Sequence, residues 1–217
     1  MEAQKSALTD KMQKKIAVID YGLGNVASVI GAIEKIGHTA VLTRDKEEIA
    51  RADGIILPGV GAFGDGMANL TSFGLIDVIK ECALTKKIPF LGICLGMQLM
   101  ATKSYEFGEH AGLGLIAGDV VPFAHSDADL RKIHIGWNDL QADQDDPLFT
   151  GLENPIVYFV HSYHFVPKDE SSVIARTTYG HEVVAGIRRD NIAGVQFHPE
   201  KSQKDGLKIL ENFIGNC

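Results

Sequence analysis

Cys94 lies in the pattern with the strongest chemical signal in this chain. Residues 92–96 read Gly-Ile-Cys-Leu-Gly, between an apolar run and a short stretch typical of a helix. This is the thiol version of the nucleophile elbow, a sharp strand-to-helix turn that exposes the nucleophile and leaves room only for glycine two residues to either side. Free N–H groups at the helix start favour a thiolate. Cys94 is therefore the candidate nucleophile, whereas Cys82 and Cys217 are expected to be ordinary buried cysteines.

A thiolate nucleophile needs a general base, and the base needs a group that orients it. His198-Pro199-Glu200 supplies both, at the end of a run predicted to be a strand. In an extended chain, residues i and i+2 point to the same side, so Glu200 can accept from one ring nitrogen of His198 while the other nitrogen faces Cys94. The sequence thus predicts a Cys-His-Glu triad. The other histidines lack the spacing of zinc ligands and are expected mostly at the surface or in loops, so no metal or cofactor is predicted.

Acyl transfer also requires N–H donors where the oxyanion forms. The backbone amide of Leu95, directly after the nucleophile, is one candidate. The second is the amide of Val60 in the glycine-rich stretch Pro-Gly-Val-Gly-Ala at residues 58–62. Gly59 and Gly61 let the intervening peptide rotate at little steric cost, which predicts a loop that can switch the second donor on or off.

Nucleotide sites are not favoured by the glycine-rich turns. The loop at 58–62 lacks the Lys-Ser/Thr of a phosphate-binding loop. The turn at 22–27 lacks the third glycine of the dinucleotide fingerprint, and no acidic residue ends the following strand, although Asp45 is near.

The elements that must position these groups alternate along the first half of the chain. Short apolar runs rich in β-branched residues predict buried strands, and apolar residues at helical spacing predict helices. Strands are predicted at 16–20, 39–43, 54–58 and 88–93, and helices at 26–36 (ending at Gly37), 66–84 and 95–103. Continuous apolar strands separated by helices imply a parallel sheet covered on both faces.

The second half changes to short segments rich in Val, Ile, Tyr and Phe, joined by Gly, Asp and Asn turns. These are predicted to be antiparallel hairpins added to the sheet, followed by a closing helix. The segments are 113–121, 131–135, 156–166, 172–178, 182–189 and 192–197, and the helix is 202–215. The prediction is one α/β domain, a mostly parallel central sheet flanked by helices, with antiparallel strands added in the second half.

Composition is that of one globular domain. The chain has 217 residues, 45% hydrophobic and 23% charged, and Lys+Arg 21 against Asp+Glu 28 gives a net charge of −7. That balance gives no reason to expect nucleic acid or an anionic membrane as partner. Three cysteines form no disulfide framework. Residues 1–14 are expected to be a polar, frayed leader without a secretory apolar core, residues 15–217 the domain, and the cytoplasm its location.

The order of three motifs resembles the class I (triad) glutamine amidotransferases, from about residue 15 to the end of the chain. They are PGVG at 58–61, GICLGMQ at 92–98 and GVQFHPE at 194–200. The segments DYGLGN at 20–25, HIGWN at 134–138 and YFVHSYHF at 158–165 narrow the resemblance to the glutaminase subunits of imidazole glycerol phosphate synthases. One departure is Ile133-His134-Ile135, where these subunits usually have Pro-His-Met.

The resemblance implies a flavodoxin-like glutaminase fold and a division of labour. This chain would hydrolyse L-glutamine to glutamate and ammonia, and a separate (βα)8-barrel cyclase subunit would use the ammonia in histidine biosynthesis. It assigns the glutamine pocket to Gly61, Gln98, Glu106, Ser162 and Tyr163, and the partner interface is expected at Asn25, Trp137 and Lys201.

Three alternatives remain open. The first is that the chain is a triad glutaminase that supplies ammonia for the synthesis of anthranilate, aminodeoxychorismate, pyridoxal phosphate or formylglycinamidine. The DYGLGN segment and Trp137 count against it. A cysteine peptidase or chaperone-like protein on a similar fold would keep the elbow but has no reason for the His-Pro-Glu segment. A binding subunit with a vestigial triad would leave the joint presence of Cys94, His198 and Glu200 unexplained.

Overall fold

The computed structural model of the chain describes residues 13–123 and 132–217, so most of the predicted leader and His125 lie outside the described residues. Within these ranges the strands are β1 Lys15–Ile19, β2 Thr39–Thr43, β3 Gly54–Leu57, β4 Phe90–Ile93, β5 Lys103–Ser104, β6 His110–Ala111, β7 Gly118–Pro122, β8 His134–Asp139, β9 Gln141–Ala142, β10 Ile156–His161, β11 Tyr163–Pro167, β12 Val173–Tyr179, β13 His181–Arg189 and β14 Ile192–Val195. The helices are α1 Val26–Lys35, α2 Lys46–Ala50, α3 Phe63–Ser72, α4 Ile76–Lys80, α5 Leu95–Leu99 and α6 Gln203–Gly215.

The central sheet has eight strands in the order β2-β1-β3-β4-β14-β13-β12-β9. The pairs from β2 to β14 are parallel, and the pairs from β14 to β9 are antiparallel. The predicted α/β class, mostly parallel in the centre with antiparallel strands added, is confirmed. Ligands bind such sheets at the carboxyl ends of the parallel strands.

Helices cover both faces of the parallel strands, as their continuous apolar sequences require. In β1, Ala17 and Ile19 join the cluster that includes core residues of α3 and α4. Ile16 and Val18, which alternate with them, join the cluster that includes those of α1 and α6. The sheet is therefore the rigid middle layer from which the loops at its carboxyl edge project.

Three predictions about the elements are wrong in detail. The helix expected at 95–103 ends at Leu99, and Lys103 already belongs to β5. The single helix expected at 66–84 is divided, because α3 ends at Ser72 and Gly74 adopts φ +63 before α4 and a π-helical turn at Glu81–Thr85. The hairpins of the second half do not all join the central sheet. Strands β10 and β8 form a separate pair, and β11, β7, β5 and β6 form a separate four-stranded sheet. Period-2 alternation shows that a segment is a strand but does not select its partner.

None of the helices among the described residues combines the length and the apolar character that a membrane span requires.

Candidate active site

The turn from β4 into α5 has the geometry of a nucleophile elbow. Cys94, the residue at the turn, has φ +54 and ψ −109, a left-handed backbone that costs a non-glycine residue about 1–3 kcal/mol. A Cβ on Gly92 would lie 2.5 Å from Sδ of Met100, and a Cβ on Gly96 would lie 1.8 Å from the carbonyl oxygen of Leu57. Only glycine fits at either position, which is the steric reason for the G-x-C-x-G sequence.

Behind the elbow, His198 and Glu200 form a buried pair. Nδ1 of His198 lies 2.8 Å from Oε1 of Glu200, and their side chains are 2% and 1% exposed. The predicted contact is present, but the extended chain predicted to make it is absent. Strand β14 ends at Val195, and Pro199–Lys201 form a 3₁₀ turn that brings Glu200 back to Nδ1 of His198.

The charge state of His198 depends on its two neighbours. Burial lowers the pKa of this imidazole, but interactions with Cys94 and Glu200 outweigh burial and raise it from 6.5 to about 9. The second ring nitrogen, Nε2, is buried and has no hydrogen-bond partner among the described residues. The raised pKa favours the protonated ring, which can pair with a thiolate or give a proton to a leaving group.

Ser202 holds the triad segment in place, and sequence reasoning did not single it out. Its hydroxyl donates to the carbonyl of His198 at 2.7 Å and accepts from the amide of Tyr158 at 3.0 Å. The amide of His198 in turn donates to the carbonyl of Tyr158 at 2.9 Å. A serine four residues after a candidate base, at the start of a helix, is the signal that could have found it.

A cavity of about 470 Å³ opens beside Cys94, large enough for a free amino acid. Its lining brings together predicted residues from the first and second halves of the chain: Val60, Gly61, Cys94, Leu95, Gln98, Glu106, Ser162, Tyr163 and Lys201. It also includes Ile133, Val160 and His161, which were not predicted. His198 and Glu200 are not among the lining residues, so the triad meets the cavity through Cys94.

Two polar side chains of the lining are held by the backbone. Glu106 accepts from the amide of Phe63 at 2.6 Å, and burial raises the pKa of its carboxyl. Gln98, which is 5% exposed, donates through Nε2 to the carbonyl of Tyr163 at 2.9 Å and to Oε1 of Gln196 at 3.0 Å. These contacts place a carboxylate and an ordered amide around a site for a small polar molecule.

The glycine-rich loop at 58–62 reaches the cavity beside Leu95, the first residue of α5. Val60 is 37% exposed, and Gly61 has φ +114 with open space where a Cβ would lie. Gly59 differs, because a Cβ there would lie 2.3 Å from Oη of Tyr21 and 2.8 Å from Cβ of Leu95. Gly59 therefore serves close packing, and the conformational freedom predicted for the pair belongs to Gly61.

Two of the three predicted interface residues, Trp137 and Lys201, both lie against Tyr158, and Lys201 also lines the cavity. Trp137 on β8 is 48% exposed and contacts Tyr158 on β10 edge to face, with ring centroids 5.8 Å apart. Nζ of Lys201 lies 5.8 Å from the centroid of the Tyr158 ring. Asn25 precedes α1, which packs against the turn that contains Lys201. We call Trp137, Tyr158 and Lys201 the aromatic patch.

Two of the histidines expected at the surface or in loops lie buried in strands instead. His134 and His161 are 3% and 6% exposed, whereas His38, although also buried, does lie in a loop. His134 and His161 lie opposite each other on the paired strands β8 and β10, and Nδ1 of His134 is 3.1 Å from Nε2 of His161. The alternation of β10, in which Val157 and Phe159 are also buried, could have placed His161 on the inner face.

Comparison with known proteins agrees with this geometry. The family model for class I glutamine amidotransferases matches residues 17–217. The imidazole glycerol phosphate synthase subunit HisH of Sulfurimonas denitrificans is 52% identical, over 91% of this chain and 96% of that protein. The subunit of the same name from Aquifex aeolicus is 49% identical, over 92% of this chain and 95% of that protein.

Solved structures share the fold at low identity. One described as a glutamine amidotransferase has a TM-score of 0.73 at 20% identity and covers 93% of this chain and 99% of its own. PurLQS from Thermotoga maritima has a TM-score of 0.74 at 22% identity, over 94% of this chain and 99% of its own.

Proposed function

The chain belongs to the class I glutamine amidotransferases, and we propose that it is the glutaminase subunit of an imidazole glycerol phosphate synthase, acting in histidine biosynthesis. It hydrolyses glutamine to glutamate and ammonia and passes the ammonia to a separate cyclase subunit. The observation that carries the proposal is the buried His198–Glu200 pair beneath Cys94, at a cavity of amino-acid size. Identity near 50% with named synthase subunits over nearly the whole chain selects this synthase among the glutaminases.

In the proposed mechanism the Cys94 thiolate attacks the amide carbon of glutamine. The backbone amides of Leu95 and Val60 donate hydrogen bonds to the oxyanion that forms. Collapse of the tetrahedral intermediate breaks the C–N bond, and His198 gives its proton to the departing ammonia. Water, deprotonated by His198, then hydrolyses the glutamyl thioester and releases glutamate. Glu200 holds the imidazole and stabilises its cationic form without accepting the proton.

The α-ammonium and α-carboxylate groups of glutamine supply the binding contacts. Glu106 is the acceptor for its ammonium, and Gln98 with the backbone at Ser162–Tyr163 surrounds its carboxylate end. A partly buried carboxylate whose pKa is raised gains most from an ammonium partner, because that partner favours the charged form.

The cyclase is expected to be a (βα)8 barrel that docks over the cavity mouth, so that ammonia leaves without meeting bulk water. The aromatic patch supports this placement. Tryptophan and tyrosine side chains are typical anchors of protein interfaces. Ile133 and Ile135, at 46% and 52% exposed, extend the apolar surface next to Trp137.

Replacement of Trp137 by alanine is expected to weaken cyclase binding by more than about 1 kcal/mol, the threshold of an interface anchor. Titration calorimetry with the purified cyclase measures this change, and the quenching or shift of the only tryptophan reports docking in the wild type. Leu42→Ala is the control, because Leu42 is 41% exposed on the edge strand β2. Equal cyclase affinities for the Trp137→Ala and Leu42→Ala variants would show that Trp137 is not part of the interface.

The function itself is tested by pairing the chain with a cyclase subunit. We expect very slow glutamine hydrolysis by the chain alone and a large rise in turnover, more than in glutamine affinity, when the cyclase and its ligand are present. Ammonia should appear in the cyclase product and not in solution. A cyclase that gains no glutamine-dependent activity from this chain would contradict the proposed synthase.

Gly61→Ala tests whether the loop at 58–62 acts as a switch. An alanine disfavours φ +114 by roughly 1–3 kcal/mol, while the open space around Gly61 leaves no clash. If the described conformation is the resting one, the variant should hydrolyse glutamine faster as an isolated chain and be activated less by the cyclase. Gly114→Ala, at φ +65 with equally open surroundings, controls for backbone strain. If the loop is rigid, Gly61→Ala should instead lower the rate of glutamine hydrolysis equally with and without the cyclase.

A further inference from the structure

A chain of hydrogen bonds runs from strand β8, which carries Trp137, through the buried rings of His134 and His161 to a carbonyl in the wall of the cavity. Nδ1 of His161 lies 2.9 Å from the carbonyl oxygen of Tyr163. Nε2 of the same ring lies 3.1 Å from Nδ1 of His134, and Nε2 of His134 lies 3.2 Å from Nδ2 of Asn138. Asn138 also donates to the carbonyl of Thr178 at 2.8 Å.

The direction of every bond in this chain follows from chemistry. A carbonyl only accepts, so His161 carries its proton on Nδ1 and its Nε2 must accept from His134. His134 then carries its proton on Nδ1, and its Nε2 accepts from the Asn138 amide. Burial lowers the pKa of His134 to about 4 and that of His161 to about 3, so both rings are neutral and each has one tautomer at pH 7.

The same carbonyl receives a second donor from the nucleophile side. Nε2 of Gln98 donates to Tyr163 and to Oε1 of Gln196, whose own Nε2 lies 3.8 Å from Sγ of Cys94. Gln196 is completely buried. The Tyr163 carbonyl is therefore the point at which polar contacts from β8 and from the nucleophile meet.

We propose that His134, His161 and Asn138 are positioning residues, which hold the Ser162–Tyr163 backbone for glutamine through one fixed direction of proton donation that starts on β8. The role in catalysis rests on the proposed glutaminase function. The direction of proton donation does not rest on that function, since it follows from the hydrogen bonds alone. These hydrogen bonds also link the cavity wall at Ser162–Tyr163 to β8, the strand on which the cyclase is expected to dock.

Asn138→Asp tests the proposal from the outer end of the chain, with little risk to folding because Asn138 is only partly buried. A carboxylate replaces the donor to Nε2 of His134 by an acceptor. His134 must then carry a proton on Nε2, so that it becomes a cation or changes tautomer. Gln141→Glu, on the exposed neighbouring strand β9, is the control for the same amide-to-carboxylate exchange.

Imidazole ¹⁵N shifts and the Tyr163 carbonyl ¹³C shift of the isolated chain read out the change without any turnover. We expect Asn138→Asp, and not Gln141→Glu, to move the His134 ring signals. His134→Phe removes the donor to Nε2 of His161 and is expected to move the His161 ring signals and the Tyr163 carbonyl signal. Unchanged His134 signals in Asn138→Asp, or unchanged His161 and Tyr163 signals in His134→Phe, would overturn the proposal, whether or not the wild type hydrolyses glutamine.

Steady-state kinetics with the cyclase present then separates positioning from simple stability. We expect Asn138→Asp to raise KM for glutamine roughly 3- to 10-fold, the loss of about one hydrogen bond, with a smaller change in kcat. His134→Phe, which keeps the stacks on Phe159 and Tyr179 at 4.4 and 4.3 Å, should do the same. Wild-type KM in both variants would overturn the positioning role. An inactive wild type would refute the glutaminase function instead.

Discussion

Replacement of Cys94 by alanine is expected to reduce glutamine hydrolysis by roughly 10⁵- to 10⁶-fold, the loss typical of removing a nucleophile that acts as a unit with its base. Stability should change little, because alanine keeps the Cβ and the left-handed backbone strain that Cys94 already bears. Ammonia release measured with the cyclase present gives the activity, and thermal unfolding checks the fold.

The other two cysteines provide the matched controls. Burial raises the pKa of the Cys82 thiol and raises that of Cys217 to about 12, so both are expected to stay unreactive thiols. Cys217→Ala should keep full activity. A glutamine analogue carrying an electrophile should label Cys94, and labelling of Cys82 or Cys217 instead would remove Cys94 from the mechanism.

Replacement of Glu200 by glutamine is expected to lower turnover by about 10³- to 10⁴-fold with little change in KM for glutamine. The reason is that an amide does not stabilise the imidazolium and can hold the wrong tautomer, as in other triads. Glu200 does not line the cavity, so substrate contacts should survive. Glu47→Gln, an exposed carboxylate in an ion pair with Arg51, is the control. Wild-type turnover in Glu200→Gln would exclude this orienting role.

The same substitution should change how stability depends on pH. The pKa of His198 rises from 6.5 to about 9 on folding, so its protonated form contributes stability that is complete below pH 6.5 and is lost as pH rises through 9. Without the Glu200 carboxylate the folded pKa should fall, and the loss of stability should begin at lower pH. NMR titration of the His198 ring and urea unfolding between pH 6 and 10 measure both effects.

The local chemistry of this protein could be predicted from sequence because it depends on near neighbours. Gly92 and Gly96 flank Cys94 within one turn, and His198 lies two residues from Glu200. Steric demands of the elbow and the contact within the pair act over a few residues, so spacing alone carries them. Apolar runs likewise predicted the parallel strands, since strands buried on both faces must be apolar throughout.

Tertiary structure alone decided which distant segments meet. It paired β8 with β10 and not with a strand of the central sheet, and so brought His134 onto His161. It also brought Gln98 and Gln196 together behind Cys94, and it reserved Gly59 for packing against Tyr21 while leaving Gly61 in open space. The physical reason is that a partner's identity depends on packing and on hydrogen bonds between segments far apart in the chain. Residue spacing carries no record of those contacts, whereas it does determine the turn that presents the nucleophile.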